Sequence, residues 1–218
     1  MSDLANTDAD NGDNETVGPV PEVGVGPHPE PWPVGEHWDA ELLAEGDRRN
    51  VIDRYRYWTV EAIKADLDPR RHSFHVAIEN WKHDLNIGTV VRTANAFLAA
   101  EVHIVGKKRW NRRGAMVTDR YQHVRHHPTP EALSDWAAGA GIEVIGIDNL
   151  PGAIPIDAEP LPKNCVLVFG QEGPGLSENM RPVLAQCRSI PQFGSTRSIN
   201  AGVAAGIAMY SWIRQHAI

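Results

Sequence analysis

The 218-residue sequence predicts an α/β fold, a mostly parallel sheet with helices on both faces. Two observations predict it. From Phe74 onward, short apolar runs alternate with segments whose apolar residues recur every three to four positions. Two of the runs, Ile142–Asp148 and Cys165–Phe169, are apolar enough to be central strands covered on both sides.

The elements follow in order. Residues 1–35 are rich in Asp, Asn, Gly and Pro and carry few large apolar groups, so they predict a disordered, acidic, Pro-rich tail. Prolines at 19, 21, 27, 29, 31 and 33 predict an extended backbone there. Residues 36–70 predict a helical N-terminal extension of one or two helices. Val51, Ile52, Tyr55, Trp58, Thr59 and Ile63 fall near a 3.6-residue period, and Asp68-Pro69 ends the segment. The aromatics favour packing over an accessory RNA contact. Residues 71–218 then form one domain. Phe74–Glu79, Val102–Gly106, Ile142–Asp148, Cys165–Phe169 and Arg188–Pro191 predict strands. Asn86–Ala99, Pro130–Ala140, Leu176–Gln186 and Ser198–Gln215 predict helices.

Composition excludes several classes. No run of about eighteen apolar residues predicts a membrane span. The first thirty residues lack the basic and apolar regions of a secretory signal. Two cysteines, Cys165 and Cys187, are too few for a disulfide scaffold. A soluble, cytoplasmic protein is the expectation.

The net charge of −7 hides a partition. Residues 1–47 hold twelve acids and no Lys or Arg, while residues 48–218 hold 21 basic and 16 acidic residues. The part expected to fold is therefore mildly basic. Its cations concentrate at Lys107, Lys108, Arg109, Arg112, Arg113 and Arg120, with Arg125 and three histidines close behind and Trp110, Asn111 and Tyr121 interleaved. A solvated loop is the ordinary reading of such a run. Interleaved aromatics also suit RNA, through phosphate contacts and base stacking. His123-x-x-His126-His127 has no Cys or acid nearby to complete a ligand set, so no metal is expected.

Three segments carry chemistry, each at a strand or helix junction, where open α/β sheets bind ligands. In Asn86-Ile-Gly-Thr-Val-Val-Arg92, Asn86 is a helix N-cap candidate, and Arg92 interrupts an apolar helix. Arg92 is either a snorkelling, salt-bridged residue or an anion clamp. In Val166-Leu-Val168-Phe-Gly170-Gln-Glu172-Gly-Pro-Gly175, a buried strand enters a Gly-rich loop where backbone can approach a ligand. It is neither a Walker loop nor a dinucleotide fingerprint. In Ile190-Pro-Gln192-Phe-Gly-Ser-Thr-Arg-Ser198-Ile199-Asn200, a strand end leads to a helix of small residues that Ser198 or Asn200 could cap.

In this order and spacing the segments resemble the SPOUT superfamily of RNA methyltransferases, in its TrmH/SpoU branch, over residues 74–215. The resemblance implies a C-terminal deep trefoil knot and a homodimer with a shared site. It implies S-adenosylmethionine as cofactor and methyl transfer to a ribose 2′-hydroxyl of tRNA or rRNA. Asn86, Arg92, Glu172, Ser198 and Asn200 match its catalytic motif positions. Gly170, Ile190 and Ile199 match positions whose backbone holds the cofactor, with Val168 and Gln192 beside them. Gln192 stands where members often have Met, and Ile199 where many have Leu. The implied role of Arg92 is to bind the adjoining phosphate and steady the developing oxyanion. The 2′-hydroxyl proton would leave through Arg92, Ser198 or water. Glu172, Asn86 and Asn200 would hold the loops and Arg92 in place. The alternative on the same fold is a non-catalytic RNA-binding or assembly factor. An unrelated nucleotide-binding enzyme would need a phosphate-loop fingerprint, which the chain lacks.

Overall fold

The computed structural model describes residues 24–82 and 86–218. The tail predicted over 1–35 falls outside the described residues up to residue 23. From residue 24 on it is not a free tail. Val25 exchanges backbone hydrogen bonds with Asp47 at 2.9 and 2.8 Å, and the Tyr57 hydroxyl donates to the Gly26 carbonyl.

The extension holds two helices, α1 (Ala40–Glu45) and α2 (Val60–Leu67). Asp39 caps the first and Thr59 the second. The helical period expected across Val51–Ile63 is not realised before Val60. Residues 46–59 instead wrap around the fully buried Asp47 carboxylate, which accepts from the Arg49 amide and guanidinium and from the Tyr57 amide. Those bonds consume donors that a helix would have used, Tyr57 takes φ 62°, and Ile52 is left 64% exposed. Tyr55, Ile63 and Leu67 bury against Tyr121, docking the extension on the main domain.

The main domain is a seven-stranded, all-parallel sheet. Its strands are β1 (His75–Asn80), β2 (Val102–Gly106), β3 (Val124–His127), β4 (Glu143–Ile147), β5 (Ile154–Pro155), β6 (Cys165–Phe169) and β7 (Gln186–Ser189). They lie in the order β3-β2-β1-β6-β4-β7-β5. Helices α3 (Asn86–Ala96) and α5 (Ala201–His216) cover one face, and α4 (Pro130–Ala140) covers the other. Period-two alternation sorts the side chains: Val76, Ile78, Leu167 and Phe169 face α3 and α5, while Ala77, Val166 and Val168 face α4. The order turns back between β1 and β6, which is the crevice position for ligands in such sheets. No described helix is long and apolar enough to cross a membrane.

Three expectations change. Residues 176–186 do not form a helix. The amides of Leu176 and Ser177 bond to the carboxylates of Asp148 and Glu79, Pro182 lies in the stretch, and Ala185 already pairs with Val144. The strand near Arg188 starts earlier, at Gln186. β3 and β5 were not expected, because Val124–His127 is polar and Ile154–Pro155 is two residues long.

His75, His103 and His127 line up across β1, β2 and β3. His103 Nε2 lies 3.1 Å from His75 Nδ1, and His103 Nδ1 lies 2.9 Å from His127 Nε2. The Trp136 ring covers His103, and Arg125 clasps Glu101 at the edge. Burial pushes His103 down to about 2 and lowers His75 and His127, with Arg125 adding to each shift. His103 therefore stays neutral in the fold, His75 and His127 take up protons less readily there than in the unfolded chain, and all three gain protons in the unfolded chain below about pH 6.5. Stability is therefore full above that pH and is lost as pH falls, by about 1.4 kcal/mol per pH unit for each proton. Urea unfolding between about pH 6.5 and 5, above the carboxylate range, should show this slope. His103→Asn should reduce it by about one proton's worth. A flat wild-type profile would mean that the rings charge within the fold.

Candidate functional site

A pocket of about 380 Å³ opens where β4, β6 and β7 end. The Gly-rich loop after β6 forms one wall, and residues 190–204 form the other. The loop doubles back on itself, with Gln171 and Gly175 exchanging backbone hydrogen bonds at 3.2 and 3.1 Å. Gly170 was expected to admit a ligand's close approach. It lines the pocket, but the requirement for glycine comes from this fold-back: a Cβ there would lie 2.0 Å from the Gly175 carbonyl carbon. Gly175 sits at φ 71° against the Asp148 carboxylate, which accepts from the Leu176 amide at 2.9 Å.

Glu172, Asn86 and Asn200 meet. Glu172 Oε2 accepts from Asn86 Nδ2 at 3.0 Å, from Asn200 Nδ2 at 3.1 Å and from the Ala201 amide at 3.2 Å. Asn200 Nδ2 also donates to Asn86 Oδ1 at 2.9 Å. Asn200 is the cap of α5, its Oδ1 accepting from the Gly202 and Val203 amides. The carboxylate therefore sits at the positive end of a sixteen-residue helix, where the backbone dipoles favour an anion. Asn86 is the first residue of α3, and its side chain reaches these two partners.

The remaining expected residues separate into groups. Ile190, Gln192, Ser198 and Ile199 line the pocket. Among the described residues, Gln192 Oε1 is buried without a partner. Val168 does not line it: the side chain is fully buried on the α4 side, and its neighbour Phe169 forms the wall. Arg92 is exposed, six residues along α3 from Asn86 and on a different face, and is not among the pocket's lining residues. It makes no ion pair or side-chain hydrogen bond among the described residues, so it neither snorkels into a salt bridge nor is held by the Glu172 cluster. Sequence reading missed Asp148 and Arg197, which also line the pocket. Neither lies in a pattern that marks it.

The basic run divides at residue 121. Lys107, Lys108, Arg109, Arg112, Arg113 and Arg120 are all exposed. Arg112 lies over the Trp110 ring at 5.4 Å and 3.4 Å from Asp119. Arg125 and His127 belong to β3 and are committed to Glu101 and His103. The exposed part is pinned across the start of α3 by a glycine contact. A Cβ on Gly88 would lie 2.6 Å from the Ala115 amide nitrogen and 2.7 Å from that of Gly114.

Replacing a helical glycine with alanine ordinarily stabilises by about 1 kcal/mol. Gly88→Ala should do the reverse, lowering the melting temperature and displacing the 107–116 loop, because backbone rather than a flexible side chain occupies the space. Thermal unfolding together with amide exchange of that loop checks it; a stabilised variant would contradict the contact.

Known proteins have chains similar to this one. A relative in Mycobacterium ulcerans (strain Agy99), described as an uncharacterized tRNA/rRNA methyltransferase, is 34% identical over 155 residues, 64% of this chain and 46% of that protein. The chain spans about half the length of the curated relatives it matches. The structure of the SpoU methyltransferase AviRb from Streptomyces viridochromogenes, in complex with the cofactor AdoMet, superposes with a TM-score of 0.61 at 26% identity, covering 69% of this chain and 60% of that one. A structure described as giving insights into 2-OH methylation of C/U34 on tRNA superposes with a TM-score of 0.58, also at 26% identity, covering 66% of this chain and 96% of that one. The model of the SpoU rRNA Methylase family matches residues 73–210, the span that carries the sheet, the pocket and the Asn86–Glu172–Asn200 cluster, and the chain belongs to that family.

Proposed function

We propose that the protein is an S-adenosylmethionine-dependent RNA methyltransferase acting on a ribose 2′-hydroxyl of tRNA or rRNA, in the cytoplasm, through a C-terminal segment threaded as a trefoil knot. The observation that carries this reading is the Glu172 junction, which brings the three motif segments together at the mouth of one pocket. The pocket residues fit the cofactor. Phe169, Ile190 and Ile199 offer apolar walls, and Gln192 Oε1 is a buried acceptor without a donor, suited to a ligand that carries amino and hydroxyl groups.

When bound, S-adenosylmethionine supplies an electrophilic sulfonium methyl group. The chain's own residues then have two tasks, positioning and handling the 2′-hydroxyl proton. Exposed cations at 107–113 and Arg120 attract the RNA backbone, and Trp110 offers a partly buried ring beside them. Among the described residues Arg92 has no partner to satisfy its guanidinium fork, which suits a phosphate and a developing oxyanion. With a pKa above about 12 the guanidinium is not ordinarily a base. The exposed Ser198 hydroxyl or water is then the route for the proton.

Arg92 lies outside the pocket of its own chain, so the reading requires a homodimer in which a second copy completes the site. An exposed apolar stripe supports it: Val203, Ile207 and Tyr210 are spaced four and three apart on α5 and are 54%, 39% and 50% exposed.

Calorimetric titration with S-adenosylmethionine and S-adenosylhomocysteine, followed by methyl transfer to unmodified RNA and mass spectrometry of the ribose, tests the function. Arg92→Ala should leave cofactor affinity and melting temperature unchanged while turnover falls by about 10²–10³-fold; Arg92→Lys should recover only part of it. Saturable cofactor binding without methyl transfer to any RNA would favour the non-catalytic factor. Ile207→Glu should convert a dimer to a monomer in light scattering, and a wild-type monomer would refute the shared site.

A further inference from the structure

The last two residues of β1 are polar and fully buried, although a central strand has no need of either. Glu79 and Asn80 are adjacent, so their side chains leave opposite faces of the sheet. Glu79 Oε1 accepts from Ser177 Oγ at 2.6 Å and from Trp81 Nε1 at 2.8 Å, and Oε2 accepts from the Ser177 amide at 2.8 Å. Ser177 closes the far end of the Gly-rich loop. Its near end is tied to the same strand tip, since Gln171 Oε1 accepts from the Trp81 amide at 3.2 Å. On the other face, Asn80 Nδ2 donates to the carbonyls of Lys107 and Arg109 at 2.7 and 2.9 Å, and the Asn80 carbonyl accepts from the Lys107 amide at 2.9 Å. Among the described residues, Asn80 Oδ1 is buried without a partner. The amide is thus held in place by its nitrogen alone, at the cost of a stranded acceptor.

Buried polar groups are expensive unless paired, and here every bond that Glu79 and the Asn80 side chain make ends on a loop or on the residue that begins one. We infer that Glu79 and Asn80 are positioning residues: Glu79 sets the Gly-rich cofactor loop, Asn80 sets the basic loop, and their adjacency holds the RNA-backbone site in register with the methyl-donor site. The inference rests on the proposed function for the names of the two loops. Its geometry is independent of them. Neither residue needs to touch a ligand, and one strand tip serves both loops because the sheet order turns back beside it.

The test uses the full chain and three variants: Glu79→Gln, Ser177→Ala and Asn80→Ala. Ser177→Ala keeps the amide bond to Glu79 and loses only the hydroxyl, which guards against a Glu79→Gln protein that fails to fold. Circular dichroism selects the folded variants. Cofactor affinity is read by calorimetry with S-adenosylmethionine, RNA affinity by anisotropy of a fluorescently labelled RNA stem-loop, and loop order by amide hydrogen exchange. Glu79→Gln should weaken cofactor binding by about tenfold, as expected for a lost hydrogen bond to a charged group, and leave stem-loop affinity within about twofold. Ser177→Ala should do the same more weakly. Asn80→Ala should give the converse split. Exchange should rise in residues 171–177 for the first two and in 107–113 for the third. Folded variants that shift both affinities equally, or neither, would overturn the proposal, because a merely structural role predicts no split. Exchange that rises in both loops together would overturn it as well. A wild-type protein that binds neither probe would instead overturn the functional reading, while the exchange pattern would still decide the loop assignment either way.

Discussion

Oxygen Oε2 of Glu172 receives three donors that come from two places far apart in the chain, Asn86 at the start of α3 and Asn200–Ala201 at the start of α5. Almost everything about the pocket follows from this convergence. The Gly-rich loop must turn back to present the carboxylate, which is why glycine is needed at 170 and 175. Helix α5 must begin where its positive end meets the charge, so Asn200, and not Ser198, becomes its cap. Because α3 and α5 both start at this point, they run together over one face of the sheet. Small residues at 202 and 206 let α5 approach Thr89 and Thr93. An exposed ion pair would contribute little to such an arrangement. Charge-assisted hydrogen bonds from amides and a helix terminus are stronger and directional.

The same device recurs around the crevice. Asp148 holds the Leu176 amide, Glu79 holds Ser177, and Asp47 holds Arg49 and Tyr57 in the extension. In each case a carboxylate takes backbone amides that would otherwise have gone into a helix. The 170–185 connection and the 46–59 connection are consequently fixed loops, shaped by acids that the chain keeps wholly or partly buried. This is a costly way to build a connection, since each acid loses hydration. It holds the 170–185 connection in place beside the pocket, and does so without long side chains filling the space.

Electrostatics are partitioned in the same spirit. Acids dominate residues 1–47, and exposed cations concentrate on the 107–120 loop. That loop is not a solvated excursion. Gly88 and Gly114 bring its backbone against α3, Asn80 anchors its entry, and Met116 and Val117 are held at positive φ within it. Positive φ at a β-branched residue such as Val117 is disfavoured; Met116 and Val117 are themselves exposed, and the buried Ala115 and Thr118 fix the chain on either side of them. Cations on a rigid mount present a fixed pattern to a polyanion and lose less entropy on binding than a flexible basic tail would.

Much of the architecture was legible from the sequence because periodicity depends on local geometry. Val102–Gly106, Cys165–Phe169 and Pro130–Ala140 announce themselves by alternation or by a 3.6-residue repeat, and the structure places them at those positions. Asn86, Glu172 and Asn200 could be picked out as polar residues at element ends, and their order along the chain was enough to suggest the family. What the sequence could not supply was which amide goes to which acceptor. Leu176–Gln186 has helical spacing but its first amides are claimed by Asp148 and Glu79, residues 28 and 98 positions away. Val168 and Phe169 look equivalent as apolar strand residues, and only the sheet's orientation decides that Phe169 meets the pocket while Val168 is sealed beneath α4. The resemblance placed Arg92 with the Glu172 cluster, whereas helical spacing already put it on a neighbouring face of α3 from Asn86, and the structure leaves it exposed and outside the pocket lining. The sequence by itself determined the elements and the polar groups available. The tertiary structure decided their pairing, because hydrogen bonds between distant segments depend on positions that no local pattern records.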